Sequence, residues 1–164
     1  MVESNTVVTP EMLKQFSDPE EPILFQEKVN KLSRWNMSQN RVLAITFNHV
    51  YLFSGNKISR KHKISNLAAI IKASQSAEVV LHYPQAKDLR MAGLSKAKVQ
   101  ELQDSIQLRY SSVNSAKTLK IFCIPTKSLK DYSQDNNKYD FSNLPDIKYR
   151  MVKEEIKGSE DEPV

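Results

Sequence analysis

Between Arg41 and His82 the chain reads RVLAITFNHVYLFSGNKISRKHKISNLAAIIKASQSAEVVLH, a succession of short apolar segments broken by polar turns. Segments this short, rich in Val, Ile, Leu, Tyr and Phe, have the length and spacing of antiparallel strands rather than helices. Arg41–Thr46 and His49–Ser54 predict a hairpin across Phe47 and Asn48, and Ser54-Gly55-Asn56 makes the next turn. In Lys57–Ile64, Ile58 and Ile64 alternate with basic residues, so this strand presents a cationic face or lies at a sheet edge. Leu67–Ala73, Glu78–Tyr83 and Asp88–Ala92 follow, and Ile23–Lys31 supplies a strand upstream. Short strands at such close spacing close into a barrel or a sandwich.

The period then changes. From Ser95 to Ser112, Ala97, Val99, Leu102, Ile106, Leu108 and Tyr110 recur mostly at three- and four-residue spacing, which predicts an amphipathic helix with Ser95 as its N-cap. The expected fold is therefore mainly β: seven strands capped by one C-terminal helix. A length of 164 residues allows one such domain with tails. Residues 1–21, with Pro10, Pro19 and the acidic SDPEEP run, predict a flexible arm with one helical turn near Glu11–Phe16. The domain covers 22–113. An extension over 114–164 carries a further strand at 118–124, stopped by Pro125, and ends in the acidic GSEDEPV, read as a disordered terminus.

Charge narrows the partner. The net value of +5 conceals an asymmetry, because Lys28–Lys98 holds nine Lys and four Arg against Glu78 and Asp88, while the flanks are acidic. A basic domain of this kind attracts phosphates on lipids or nucleic acids, or an acidic protein surface; for any single lysine, a solvated face is the simpler role. Nucleic acid is disfavoured, since Phe47, Tyr51 and Phe53 lie in apolar strands and read as core, not as stacking platforms.

Catalysis has no support in the motifs. The three glycines, Gly55, Gly93 and Gly158, form no phosphate-cradling loop, and His49, His62 and His82 lack the ligand spacing of a metal site, so no cofactor is expected. His82, inside VVLHYP, reads as a satisfied sheet histidine. Cys123, the single cysteine, has no histidine near it in sequence and reads as a buried structural thiol. No eighteen-residue apolar run or signal-like N-terminus is present, so a cytoplasmic protein, recruited to its partner, is expected.

The order of motifs resembles the pleckstrin-homology-like domain in the tail of class I myosins. Lys31 near the end of strand one, the RVLAIT strand, the hairpin to VYLF, the basic ISRKHKIS, then NLAAI and VVLHYP carry that resemblance over Lys28–Tyr110, about half the chain. Related modules precede the catalytic domains of some AGC-type protein kinases, whose linkers TLKIFCIPTKSLKDY loosely resembles. The resemblance implies a barrel mouth for inositol phosphates flanked by Lys31 and Arg41, with Lys28, Arg34, Lys57 and Arg60 enlarging the patch. Converging cations suit a polyphosphate, and arginine offers a planar fork for its oxygens. The loop 32–40 departs from strong lipid binders in having only Arg34 as a base, which leaves an anionic phospholipid headgroup and an acidic protein surface both open. Trp35 either inserts into a membrane interface or caps the barrel by packing. The alternative function is a structural subunit of a cytoskeletal polymer, such as a microtubule or ciliary axoneme assembly, held by the terminal arms.

Overall fold

The computed structural model describes residues 7–33, 35–114 and 117–133. The acidic C-terminal tail expected to be disordered lies outside them. The apolar alternation becomes strands β1 (Phe25–Leu32), β2 (Ser38–Ile45), β3 (His49–Ser54), β4 (Lys57–Lys63), β5 (Ala69–Ala73), β6 (Val79–His82) and β7 (Leu89–Ala92). A four-residue helix, α1 (Pro10–Leu13), precedes them; the long helix α2 (Lys96–Val113) and strand β8 (Lys120–Ile124) follow. The Ser95 side chain accepts the Lys98 N–H at 3.1 Å and caps α2, an arrangement worth about 1 kcal/mol.

The sheet runs in the order β4-β3-β2-β1-β7-β6-β5-β8. Two antiparallel meanders, β1–β4 and β5–β7, are joined by a short ladder in which Asn30 faces Ala92 and Lys31 faces Met91. Gly93, directly after β7, adopts φ +94°, and a Cβ there would stand 2.8 Å from Asn30 Nδ2. Close approach to β1 at this joint therefore requires glycine. The meanders fold over one core, to which β1, β2, β3, β5, β6 and β7 contribute Val29, Leu43, Leu52, Ile70, Leu81 and Leu89. Helix α2 seals that core with Val99, Leu102, Ile106 and Tyr110. This is the pleckstrin-homology-like plan, with an eighth strand pairing parallel to β5.

Both half-sheets are also covered on their outer faces. The unbroken run VYLF in β3 leaves Tyr51 and Phe53 pointing away from the main core, and a strand apolar on both faces needs a second layer. Val8, Met12 and Phe16 of the N-terminal segment supply it, packing with Ala44, Tyr51 and Phe53. On the other half, Ile71 and Val80 are covered by Phe122, Ile124 and Leu129 from the segment after α2.

Two expectations are corrected here. Cys123 is exposed rather than buried: β8 is an edge strand whose alternation turns Phe122 and Ile124 inward and Cys123 outward. Phe47 is not core. At the tip of the β2–β3 hairpin it keeps 36% of its surface exposed, and the Arg109 guanidinium lies 4.3 Å over its ring. Among the described residues no helix is long and apolar enough to cross a membrane.

Candidate functional site

The β1–β2 and β6–β7 loops lie at the end of the barrel away from Arg109 and the β2–β3 tip. A cavity of about 450 Å³ opens there, lined by Lys31, Ser33 and Trp35 from the end of β1 and its loop, Arg60 from β4, Lys87, Asp88 and Arg90 around β7, and Lys130, Asp131 and Ser133 from the C-terminal segment. Five cations thus reach one opening from four separate stretches of chain, against the carboxylates Asp88 and Asp131. Asp88 is engaged: its Oδ1 stands 2.7 Å from His82 Nδ1 and accepts the Tyr83 N–H at 3.2 Å. His82 is accordingly the buried, partnered sheet histidine expected from VVLHYP.

Side chains span the unpaired gap between β4 and the second meander. The β3–β4 register slips between Leu52 and Phe53, so Ile58 joins the outer layer while Arg60 and His62 face the gap. Arg60 donates to the Lys87 carbonyl and, through Nε, to His62 Nε2 at 2.9 Å. The His62 ring stacks on Tyr83 at 4.1 Å. Burial, reinforced by the neighbouring Arg60 charge, lowers the His62 pKa to about 4, so the imidazole is neutral and accepts. Burial likewise raises the Tyr83 phenol, with Asp88 adding and Arg60 opposing. Burial lowers the Arg60 guanidinium from its ordinary value, partly offset by Tyr83 and Asp88.

Arg90 is the least exposed cation of the cavity, at 4% of its surface. It meets Glu78 side-on, with Nε 3.1 Å from Oε1 and Nη2 3.2 Å from Oε2, and Nη2 also donates to Ser128 Oγ at 3.1 Å. Its Nη1 is buried without a hydrogen-bond partner among the described residues.

The residues named from sequence are divided by the fold. Lys31 and Arg60 share the cavity. Lys28 and Arg41 line a different opening, also about 450 Å³, together with Asn30, Asn40 and Gly55. Alternation separates Lys28 from Lys31, because residues three apart leave opposite faces of β1; Arg41 pairs with Val29, on the face of Lys31, and its guanidinium is held instead by its own strand neighbours. The Arg41 guanidinium donates to its neighbours, the Asn40 carbonyl at 2.8 Å and Gln39 Oε1 at 3.3 Å. Lys57 is exposed at the start of β4, and Arg34 lies outside the described residues. Trp35 does not cap the barrel: it is 69% exposed beside the cavity, with Met37 also exposed on the same loop. Lys87, Arg90 and Lys130 were not anticipated. The signal for Arg90 was the pair of charges, Glu78 and Arg90, interrupting two apolar segments that become adjacent strands.

No family model matches the chain, and no curated protein matches it. Solved structures do. The hSac2 domain from the human phosphoinositide phosphatase Sac2 superposes with a TM-score of 0.55 at 12% identity, covering 71% of this chain and 85% of that one. The linker-DH/PH domains of p115-RhoGEF give 0.50 at 8% identity over 62% of this chain and 36% of theirs. A Vav1 structure gives 0.50 at 7% over 62% and 30%. This chain therefore spans about a third of the p115-RhoGEF and Vav1 chains. At these identities the likeness is one of fold, and it is to the pleckstrin-homology-like architecture. The narrower resemblance to class I myosin tails and kinase-linked modules has no counterpart among these structures.

Proposed function

We propose that the chain is a non-catalytic pleckstrin-homology-like adaptor that docks on an anionic partner through the cavity of Lys31, Arg60, Lys87, Arg90 and Lys130. The partner favoured is a phosphoinositide-bearing membrane, with the protein cytoplasmic and membrane-peripheral. One observation carries this reading: cations from four separated stretches converge on a single open cavity. Phosphate recognition needs that convergence, since each phosphate offers several acceptor oxygens that no single strand can reach. Trp35 and Met37, exposed on the loop beside the cavity, favour a lipid surface over an acidic protein, because an amphipathic ring is stable at the headgroup level.

Vesicle co-sedimentation tests the reading. Phosphatidylcholine vesicles carrying phosphatidylinositol bisphosphate are expected to retain the chain, and neutral vesicles to release it. Each lysine near an anionic surface is worth about 1 kcal/mol, so Lys31→Ala/Lys87→Ala loses about 2 kcal/mol, or about 30-fold in affinity. Emission of the single tryptophan shifts to the blue on binding as Trp35 leaves water. Absence of retention on every anionic vesicle, with retention on polyglutamate beads instead, would replace the membrane with an acidic protein surface; absence of both refutes docking altogether.

A further inference from the structure

The segment after β8 is outside the seven-stranded barrel, yet it is built into the cavity wall. Backbone and side-chain bonds hold it in place: Gln75 N–H donates to the Thr126 carbonyl at 3.1 Å, Ser76 Oγ to the Lys127 carbonyl at 2.7 Å, and Leu129 N–H to Glu78 Oε1 at 2.9 Å. Leu129 is completely buried in the outer-face cluster with Ile71 and Val80. These anchors set Ser128 against Arg90 and bring Lys130 to the rim of the cavity.

The donors of Arg90 are only partly used. A guanidinium has five N–H groups. Glu78 takes one from Nε and one from Nη2, and Ser128 takes the other on Nη2. The two N–H groups of Nη1 have no partner among the described residues, in a side chain that lines the cavity; Nη1 itself is closed to solvent, so a ligand oxygen reaches it only as the Arg90 head turns toward the opening. A buried donor left unsatisfied costs about 1–3 kcal/mol, a penalty that an incoming acceptor removes. Glu78 already balances one positive charge, and Lys31, Arg60, Lys87 and Lys130 stand around the opening. A tetrahedral phosphate monoester, whose three terminal oxygens share up to two negative charges, can meet Nη1 and lysines on separate walls together, whereas a planar carboxylate has only two oxygens to offer.

Building on the docking reading above, we propose that Arg90 is the buried donor of the site, that its ligand group is a phosphate monoester, and that Thr126–Ser133 is a required wall of the site. Glu78 acts as the positioning residue: it holds Arg90 from behind and anchors Leu129 with the same carboxylate. The barrel alone is then an incomplete site.

The test is calorimetric titration of the full chain with soluble inositol trisphosphate, run beside the vesicle assay. Wild type is expected to bind the trisphosphate. Ser128→Ala/Lys130→Ala, two changes on an exposed stretch, is expected to weaken it by about tenfold or more while the chain still folds cooperatively, its melting temperature lowered by about 4–8 °C for each kcal/mol lost where Arg90 Nη2 loses the Ser128 hydroxyl. Arg90→Met/Glu78→Gln, which removes both charges of the buried pair at nearly constant volume, is expected to abolish it. If that double variant does not fold, the Ser128/Lys130 variant decides. Unchanged trisphosphate affinity in Ser128→Ala/Lys130→Ala overturns the composite site. Failure of wild type to bind trisphosphate while vesicles still retain it overturns this inference and leaves membrane docking standing; failure of both assays removes both.

Discussion

Phe16→Ala isolates the contribution of the N-terminal segment to the domain. Phe16 is 4% exposed, stacked 4.5 Å from Tyr51 with ring planes 8° apart, and 6.1 Å from Phe53. The next residue is tied down as well, Ser17 N–H donating to the Tyr51 hydroxyl at 2.7 Å. Full burial of a phenylalanine side chain is worth about 1.5–3 kcal/mol, and an aromatic pair adds about 0.5–1.5. The cavity penalty of a deep-core truncation should be small, because a surface segment can shift into the vacated space. The expected loss is therefore about 3 kcal/mol. With a urea slope of about 1–3 kcal/mol/M for a small protein, the unfolding midpoint falls by about 1–3 M. Leu13→Ala, an exposed neighbour in the same segment, is the control and should stay within about 0.5 kcal/mol of wild type. If equilibrium urea unfolding gave the same midpoint for Phe16→Ala as for Leu13→Ala, the claim that this segment is an integral second layer on β2 and β3 would be refuted.

His62 sets an acid limit. Its folded pKa of about 4 lies below the ordinary 6.5, so between those values the unfolded chain takes up the proton. The stability it contributes is complete above pH 6.5 and is lost as pH falls toward 4; thermal melting at pH 7 and 4.5 should show a drop that His62→Gln, which keeps the acceptor for Arg60, makes smaller. Cys123 should react with Ellman's reagent in the native protein at the rate of a free thiol, whereas a slow reaction that quickens only in urea would contradict its exposure. Gly93→Ala forces a side chain into a left-handed backbone 2.8 Å from Asn30 Nδ2 and should lower stability by about 1–3 kcal/mol, measured by urea unfolding.

Strand content was legible because burial imposes alternation, and seven segments named from the sequence correspond to β1–β7. Boundaries were less so: β2 begins at Ser38, since Ser38, Gln39 and Asn40 pair through their backbone with Leu32, Lys31 and Asn30 and carry no apolar signal. A strand at 118–124 was visible in TLKIFCI, but its parallel pairing with β5 was not, because side-chain periodicity says nothing of direction. Lys31 and Arg60 could be named from position and charge. Arg90 could not, since a base inside DLRMA acquires meaning only when the register brings Glu78 beside it, and Lys130 belongs to a segment whose polar composition hides one deeply buried leucine, Leu129. Cys123 was misread because the burial of a thiol at a sheet edge depends on which face the strand turns inward.

The ladder joining the two meanders is short, Asn30 to Ala92 and Lys31 to Met91, and β4 and β5 are not paired at all. Mechanically, the domain resembles two leaves of a book bound along a narrow spine, with Lys31 on that spine. Lys31 and Arg60 belong to one leaf, and Lys87 and Arg90 to the other. The spacing of these cations is thus set by how the two leaves are held against each other, and a ligand that spanned them would act as a clasp. Arg60 bonded to the Lys87 carbonyl and His62 stacked on Tyr83 already tie the leaves together at their open edge, over a core that both leaves share.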